Sequence, residues 1–161
     1  MSGDPSSAVH AFTEADLREL MSRALVESRH ALPACAPNPP VGCIVSRGTE
    51  VLATGFTGAP GAPHAEAAAL RSLGPDVPRD GLALFVTLEP CAFFGRTPSC
   101  ARAIVDSGIR QVFVGTLDPD PRNNGAGIDI MRQAGIDVRL GVLEDDILTF
   151  ISAYLWHRAG V

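Results

Sequence analysis

Residues 82–100 read LALFVTLEPCAFFGRTPSC, and this stretch decides the fold. Leu82–Thr87 is a short apolar run, which predicts a buried β-strand. Glu89-Pro90-Cys91 follows directly, and Cys100 stands at the start of a predicted helix at about Ser99–Ser107. A buried strand followed by a loop and a helix is the repeating unit of an α/β sheet, and chemistry in such sheets gathers at the carboxyl ends of the strands.

The elements on either side complete the pattern. They are a helix from a capping box at Thr13 and Asp16 to about His30, a proline-rich loop at Pro33–Pro40, a hairpin of Val41–Ser46 and Val51–Phe56, a helix from His64, a strand at Gln111–Thr116, a helix at 126–134, a strand at Ile136–Val142 and a helix at Glu144–Arg158. This order predicts a three-layer α/β fold with a five-stranded mixed sheet flanked by helices. We expect an antiparallel pair at one edge and right-handed crossovers beyond it.

Composition excludes several classes of protein. The chain has 161 residues, of which 46% are hydrophobic, enough for one domain with a core. All 13 basic residues are arginines, which excludes lysine nucleophiles and the phosphate-loop lysine. A net charge of -5 argues against a broad surface for nucleic acid or anionic lipid.

We expect residues 1–12 to form a flexible leader and 13–161 a single domain. With no secretory signal and no apolar run of about 20 residues, we predict a cytoplasmic protein that does not enter a membrane.

Pro63-His64-Ala65-Glu66 is the second segment that carries chemistry. We expect it, like Glu89-Pro90-Cys91, to open a helix. The imidazole of His64 and the thiolates of Cys91 and Cys100 make a three-ligand zinc set, which leaves the fourth tetrahedral position for water. Glu66 is the candidate proton shuttle beside that water. Residues at i and i+2 lie about 200° apart on a helix, so both reach one pocket only if His64 precedes the helix and Glu66 lies in its first turn.

Simpler interpretations exist for each of these residues taken alone. A histidine before a helix is commonly a cap or a surface residue, and a lone glutamate there is commonly solvated. The four cysteines, Cys35, Cys43, Cys91 and Cys100, would form two disulfides in a secreted domain, whereas metal binding or burial suits a cytosolic chain. We interpret Cys35 and Cys43 as buried and inert. Together, however, H-x-E, P-C and a second cysteine are the signature of zinc-dependent deaminases that act on nucleobase-like rings.

The sequence resembles the deaminase domain of the bifunctional riboflavin-biosynthesis deaminase/reductase family, which has the cytidine deaminase-like fold. The matching motifs are NPPVG at 38–42, PHAE at 63–66, TLEPC at 87–91, GRTPSC at 95–100, DPDP at 118–121 and GAG at 125–127. Polynucleotide deaminases usually place two residues between the cysteines, whereas eight separate Cys91 from Cys100. This long insert resembles the riboflavin branch in particular.

The resemblance implies a substrate and a set of contacts. The substrate would be a diaminopyrimidinone ribosylamine 5'-phosphate, whose ring amine leaves as ammonia. Zinc would be bound by the histidine and the two cysteines, with Glu66 moving protons. Asn38 would anchor the ring, while the insert and the loop that carries Asp118 and Asp120 would shape the pocket. Arg96, in the insert, has the forked guanidinium that pairs bidentately with a phosphate, although an ordinary surface arginine is the alternative.

Three features depart from the family pattern. The family's P-C-S-H reads P-C-A-F here, so Phe93 takes the place of the histidine and an aromatic ring replaces a polar one. Where the family has the asparagine of D-P-N-P, this chain has Asp120. An aspartate accepts hydrogen bonds but donates none, and its charge would repel a phosphate. The chain also ends near the end of the deaminase domain, so we expect any reductase to be a separate protein.

These departures keep other functions open. One alternative is a related deaminase that acts on a different amino-pyrimidine or purine-like small molecule in secondary metabolism. Another is a catalytically silent deaminase fold that partners a separate reductase. The apolar final helix predicts a homodimer, although the same residues would equally serve as core. They are Ile147, Leu148, Phe150, Ile151, Tyr154, Leu155 and Trp156.

Overall fold

The structure, a computed structural model, describes residues 10–93 and 99–155. In chain order the elements are α1 (Glu14–Arg29), β1 (Gly42–Arg47), β2 (Glu50–Phe56), α2 (Ala65–Leu73), β3 (Leu82–Leu88), α3 (Cys100–Ser107), β4 (Gln111–Thr116), α4 (Ala126–Gln133), β5 (Asp137–Leu140) and α5 (Glu144–Leu155). Among these residues, no helix combines the length and the apolar character needed to cross a membrane.

The sheet has the strand order β2-β1-β3-β4-β5. Strand β1 runs antiparallel to both β2 and β3, whereas β3, β4 and β5 are parallel to one another. The predicted mixed sheet with a hairpin at one edge is therefore confirmed. Strand β5 is shorter than predicted, because the Ile136 amide donates to the carbonyl of Met131 and so belongs to the end of α4. Gly141, with a φ of +94°, then turns the chain out of the strand.

Helices cover both faces of the sheet, as the glycines of the strands show. A Cβ at Gly42 would collide with the backbone of α1, and one at Gly55 would collide with the backbone of α2. Gly55 pairs with Cys43, the neighbour of Gly42, so these two glycines face opposite sides of the pleated sheet. Helices α1 and α2 therefore belong to different layers. Helix α3 packs between α2 and α4, and α5 packs on β4.

Helix α1 begins as its sequence predicts. The Thr13 side chain accepts a hydrogen bond from the Asp16 amide at 3.0 Å, and the Asp16 carboxylate accepts one from the Thr13 amide at 3.0 Å, which completes the capping box. Of the predicted leader, residues 1–9 lie outside the described residues. Phe12 is described and packs edge-on against Phe85 and Phe113 of the sheet, so the chain is already part of the core there.

Helix α5 turns part of its apolar stripe toward its own chain. Ile147, Ile151 and Leu155 are buried, and the first two are fully excluded from solvent. This part of the stripe serves the core of the domain, which was the alternative to self-association. Trp156 lies outside the described residues.

The segments that carry chemistry lie together at one end of the strands of the sheet. The parallel strands β3 and β4 end there at Leu88 and Thr116, and β2 ends there too because it is parallel to β3. Strand β1, which runs the other way, begins there at Gly42. The loops before β1 and after β2, β3 and β4 therefore meet at one place, as is usual for the sites of α/β proteins.

Candidate active site

The start of α2 places His64 and Glu66 side by side. His64 is the N-cap residue, with extended backbone angles of φ -69° and ψ 167°, and the helix begins at Ala65. Glu66 lies in the first turn and is only 4% exposed. The break in helical geometry at His64 lets both side chains reach one pocket, which is the placement that the sequence predicts.

The two cysteines come from different backbone settings. Cys100 is the first residue of α3, and the Ser99 side chain caps that helix by accepting from the amide of Arg102 at 3.2 Å. The prediction that Cys91 opens a helix is wrong, because the residues from Glu89 to Phe93 are not helical. The Glu89 side chain binds the backbone amides of Asp118 and Gly125 instead of capping a helix here.

His64, Cys91 and Cys100 bring their donor atoms together. The Nδ1 atom of His64 lies 3.2 Å from the Cys100 sulfur and 4.0 Å from the Cys91 sulfur. The three donor atoms lie within 4.8 Å of one another. The amide of Cys100 also donates to the Cys91 sulfur at 3.2 Å, so the N-terminus of α3 points at that sulfur.

This donor set fits a zinc ion. Tetrahedral zinc with bonds of about 2.0–2.3 Å holds its ligand atoms roughly 3.3–3.8 Å apart, close to the distances between these nitrogen and sulfur atoms. One imidazole and two cysteines are ligands that zinc favours, and three protein ligands leave a position for water. The arrangement is that of a catalytic rather than a structural zinc site.

Burial and neighbouring groups shift the acidity of the site. The pKa of Cys91 is lowered to about 4, chiefly because the Cys100 thiol donates a hydrogen bond to the Cys91 sulfur. The same bond, together with burial, raises the pKa of Cys100. A metal ion would bind the two cysteines as thiolates, so binding releases the protons that the thiols carry. Burial also raises the pKa of Glu66, so this carboxyl takes up a proton more readily than an exposed glutamate does.

A pocket of about 180 Å³ opens in front of these groups. Its lining includes the predicted substrate contacts Asn38, Phe93 and Asp118. Asp120 is 4% exposed and lies behind the lining, where its carboxylate pairs with Arg122. Arg96 lies outside the described residues. The structure therefore brings most of the predicted contacts to one pocket, and it adds Arg122, which the sequence did not single out.

The other two cysteines lie apart from the donor cluster. Cys35 and Cys43 are both free and fully excluded from solvent. Cys43 lies in β1 beneath Glu66, and burial raises the pKa of its thiol well above the ordinary value. No disulfide is present among the described residues, so the disulfide alternative does not hold for these four cysteines.

Glu89 is a residue whose role sequence reasoning missed. Its side chain is 3% exposed and accepts hydrogen bonds from four backbone amides at 2.9–3.3 Å. The donors are Asp118, Gly125, Gly127 and Ile128. This carboxylate therefore ties the end of β3 to the loop after β4 and to the N-terminus of α4, where the helix dipole favours an anion. An acid directly after a strand that is buried along its whole length was the available signal.

We expect Glu89→Gln to lower the free energy of unfolding by about 3 kcal/mol, since the amide group turns donors toward backbone donors and removes the charge that several of them bind. The measurement is urea unfolding followed by circular dichroism. Glu19→Gln on the exposed face of α1 is the matched control, because it removes one carboxylate charge without a buried partner. Equal midpoints for the two variants would contradict the role assigned to Glu89.

The fold and the site define a class: a zinc-dependent deaminase for nucleobase-like rings. Comparison with known proteins agrees, since residues 14–116 match the family described as "Cytidine and deoxycytidylate deaminase zinc-binding region". The "Diaminohydroxyphosphoribosylamino-pyrimidine deaminase" of Buchnera aphidicola is 36% identical over 129 residues, which cover 80% of this chain and 86% of that protein. The chain therefore belongs to the cytidine and deoxycytidylate deaminase family and, within it, to the riboflavin-biosynthesis deaminases.

Two longer relatives share the same region. The "Riboflavin biosynthesis protein RibD" of Aquifex aeolicus is 46% identical over 110 residues, which cover 68% of this chain and 30% of that protein. The crystal structure of a deaminase/reductase from Thermotoga maritima superimposes with a TM-score of 0.81 at 36% identity, and covers 90% of this chain and 42% of that one. The chain thus spans less than half the length of these two relatives.

Proposed function

We propose that the chain deaminates a diaminopyrimidinone ribosylamine 5'-phosphate in riboflavin biosynthesis, as a zinc-dependent hydrolase that releases ammonia. The observation that carries the proposal is the cluster of His64, Cys91 and Cys100 beside the buried Glu66, next to one pocket. The choice of substrate is supported by the name of the Buchnera relative, of which the chain covers 86%.

The chain's own residues divide the chemistry between them. His64, Cys91 and Cys100 would hold the ion, which when bound supplies a Lewis acid that lowers the pKa of a water molecule. Glu66 accepts a proton from the attacking water as the new carbon–oxygen bond forms. It delivers that proton to the ring nitrogen, then takes the second proton of the former water from the new hydroxyl group and passes it to the amine, so that the carbon–nitrogen bond breaks, a carbonyl forms and ammonia leaves. A buried carboxyl with a raised pKa suits both halves of that transfer.

The pocket walls position the substrate. Asn38 offers an amide with both donor and acceptor groups for the edge of the ring. Asp118 is fixed in turn, because its carboxylate accepts from the Asp120 amide at 3.0 Å and from the Asn123 side chain at 3.4 Å. Phe93 supplies an aromatic surface at the rim. Arg96 in the insert stays a proposed phosphate contact.

A second candidate is deamination of a different amino-pyrimidine or purine-like compound. The specific observation in its favour is that Arg122 contacts both positions that depart from the family pattern. The Arg122 guanidinium carbon lies 4.2 Å from the centre of the Phe93 ring, and its Nη2 lies 2.6 Å from the carboxylate of Asp120. The two departures therefore meet at one side chain of the pocket wall, and a change of substrate would begin there.

Ammonia release from the zinc-loaded chain tests the proposal. The substrates are the ribosylamino-diaminopyrimidinone with and without its 5'-phosphate and a set of other aminopyrimidines, and a chelator-treated sample is the control. Turnover of the phosphorylated compound that stops on chelation supports the proposed function. Turnover of other aminopyrimidines alone would favour the second candidate. Bound zinc with no ammonia from any of them would favour a catalytically silent partner of a reductase.

Several further expectations are part of the same proposal. We propose that residues 13–161 act as one deaminase domain in the cytoplasm, and that a reductase acts on its product. The Thermotoga relative is named for both activities, and this chain covers 42% of it. A homodimer is also proposed, with the exposed side of α5 as a candidate contact. Light scattering of the purified chain measures that state directly.

A further inference from the structure

We propose that Arg122 is the residue of this pocket that recognises an anionic substituent of the substrate, a phosphate ester in the first instance. The inference rests on the proposed function, which it deepens. The first observation is the charge of the side chains that line the pocket. Among the described residues that line the pocket, Glu66, Glu89 and Asp118 carry carboxyl groups, whereas Arg122 is the one arginine. Among these described residues, Arg122 is therefore the side chain suited to bind an anionic substituent, since the carboxylates there would repel it.

Arg122 is held in place on two sides. Its Nε donates to both oxygens of Asp120 at 3.1 and 3.3 Å, and its Nη2 donates to one of them at 2.6 Å. Its guanidinium lies over the face of Phe93, a cation–π contact that limits its rotation. A guanidinium fixed in this way loses little side-chain entropy when an anion binds.

The bonds with Asp120 use only one edge of the guanidinium. Within the described residues Nη1 makes no hydrogen bond, and 67% of the side chain is exposed to solvent. From its charge alone, Asp120 is expected to repel a phosphate. The structure places the Asp120 carboxylate on Arg122 instead, so that repulsion is largely neutralised and the second edge of the fork can bind an anion.

The pocket is small enough that the anionic part of a substrate would lie near the Nη1 edge of Arg122. Its volume of about 180 Å³ is smaller than the ~300–1,000 Å³ of ordinary small-molecule sites. A heterocycle that reaches the donor cluster therefore fills the floor, and a sugar phosphate attached to it must extend past the rim. Arg122 and Phe93 both line the pocket and the Arg122 side chain is largely exposed, so a phosphate that extends out of the pocket would meet the Nη1 edge.

The backbone around Arg122 is fixed by the same network that positions Cys91. The Asp120 carboxylate accepts from the Arg122 amide at 3.0 Å, and the Asn123 side chain donates to the carbonyl of Pro90 at 3.1 Å. The anion-binding arginine and the cysteine next to Pro90 are therefore held at a constant separation. A substrate of fixed length between its ring and its anionic group would be selected by that separation.

The test compares Arg122→Gln and Arg122→Lys with the parent chain, and Arg23→Gln on the exposed face of α1 is the matched control for lost charge. We expect Arg122→Gln to reduce the preference for phosphorylated over dephosphorylated substrate, measured as the ratio of kcat/KM values, by about 10- to 100-fold. Arg122→Lys, which keeps the charge without the fork, should fall between. An unchanged ratio in Arg122→Gln, including an equal loss of kcat/KM on both substrates, would overturn the inference.

Binding of ribose 5-phosphate to the zinc-loaded chain, followed by titration calorimetry, separates this inference from the proposed function. A tenfold weaker affinity in Arg122→Gln, with no change in Arg23→Gln, supports the anion site even if no diaminopyrimidine is deaminated. The same affinity in all three proteins overturns it even if the proposed function holds. Thermal unfolding of each variant shows whether it is folded, and Arg122→Lys is the fallback if Arg122→Gln is not.

Discussion

A Glu66→Gln variant is expected to fold and to bind zinc like the parent chain, while its turnover falls by about 10²- to 10⁴-fold. Glutamine has nearly the same shape as glutamate, but its amide can neither accept the proton of the attacking water nor deliver it to the leaving amine. Burial already disfavours the charged form of Glu66, so the neutral amide should be accommodated at little cost in stability.

Three measurements make this result specific. Steady-state ammonia release gives turnover, metal analysis gives zinc content, and thermal unfolding shows that the fold is kept. Glu66→Ala should show the same loss of turnover with the zinc still bound. Near-normal turnover in either variant would show that another group moves the proton, and the assignment of Glu66 would then be abandoned.

Cys91→Ala should lose the metal as well as the activity. Removal of one thiolate leaves two protein ligands, and zinc content should drop from about one ion per chain to a small fraction of that, because catalytic zinc sites use three. Turnover is then expected to fall to the level of the chelated parent, about 10³-fold or more. Zinc measured after dialysis against a weak chelator shows the difference most clearly.

Cys35→Ala is the matched control for this prediction. Cys35 is also a free cysteine and is fully excluded from solvent, yet it lies outside the donor cluster. The control variant should keep its zinc and its turnover while losing some stability to the small cavity. If Cys91→Ala retained a full complement of zinc, the ligand set would be wrong.

Much of the fold could be predicted because its signals are local. Short apolar runs marked each strand, and the Thr13–Asp16 capping box marked the start of α1. Errors arose at the ends of elements, where the apolar pattern does not mark the last residue. Residues predicted to extend β5 turn away at Gly141, and the segment of Cys91 is not helical.

The candidate site divides in the same way. His64, Glu66, Cys91 and Cys100 were predicted from the sequence, because zinc chemistry requires particular side chains and those occur in short motifs. Glu89 and Arg122 were not. Glu89 acts through backbone amides 29 to 39 residues away, and no property of its own sequence neighbourhood identifies those donors. The role proposed for Arg122 depends on its contacts with Asp120 and Phe93. Phe93 contacts it only because two loops meet in the folded chain.

By itself, then, the sequence determined the α/β order of elements, the donor set for zinc and the carboxyl group beside it, since each depends on residue type and short-range spacing. Only the tertiary structure decided how these are held. It fixed which backbone amides bind Glu89, and it turned the charge of Asp120 from a repulsive group into the support of an arginine. The physical reason is that hydrogen bonds and ion pairs between loops depend on how the strands are arranged in the sheet, and that arrangement exists only once the chain has folded.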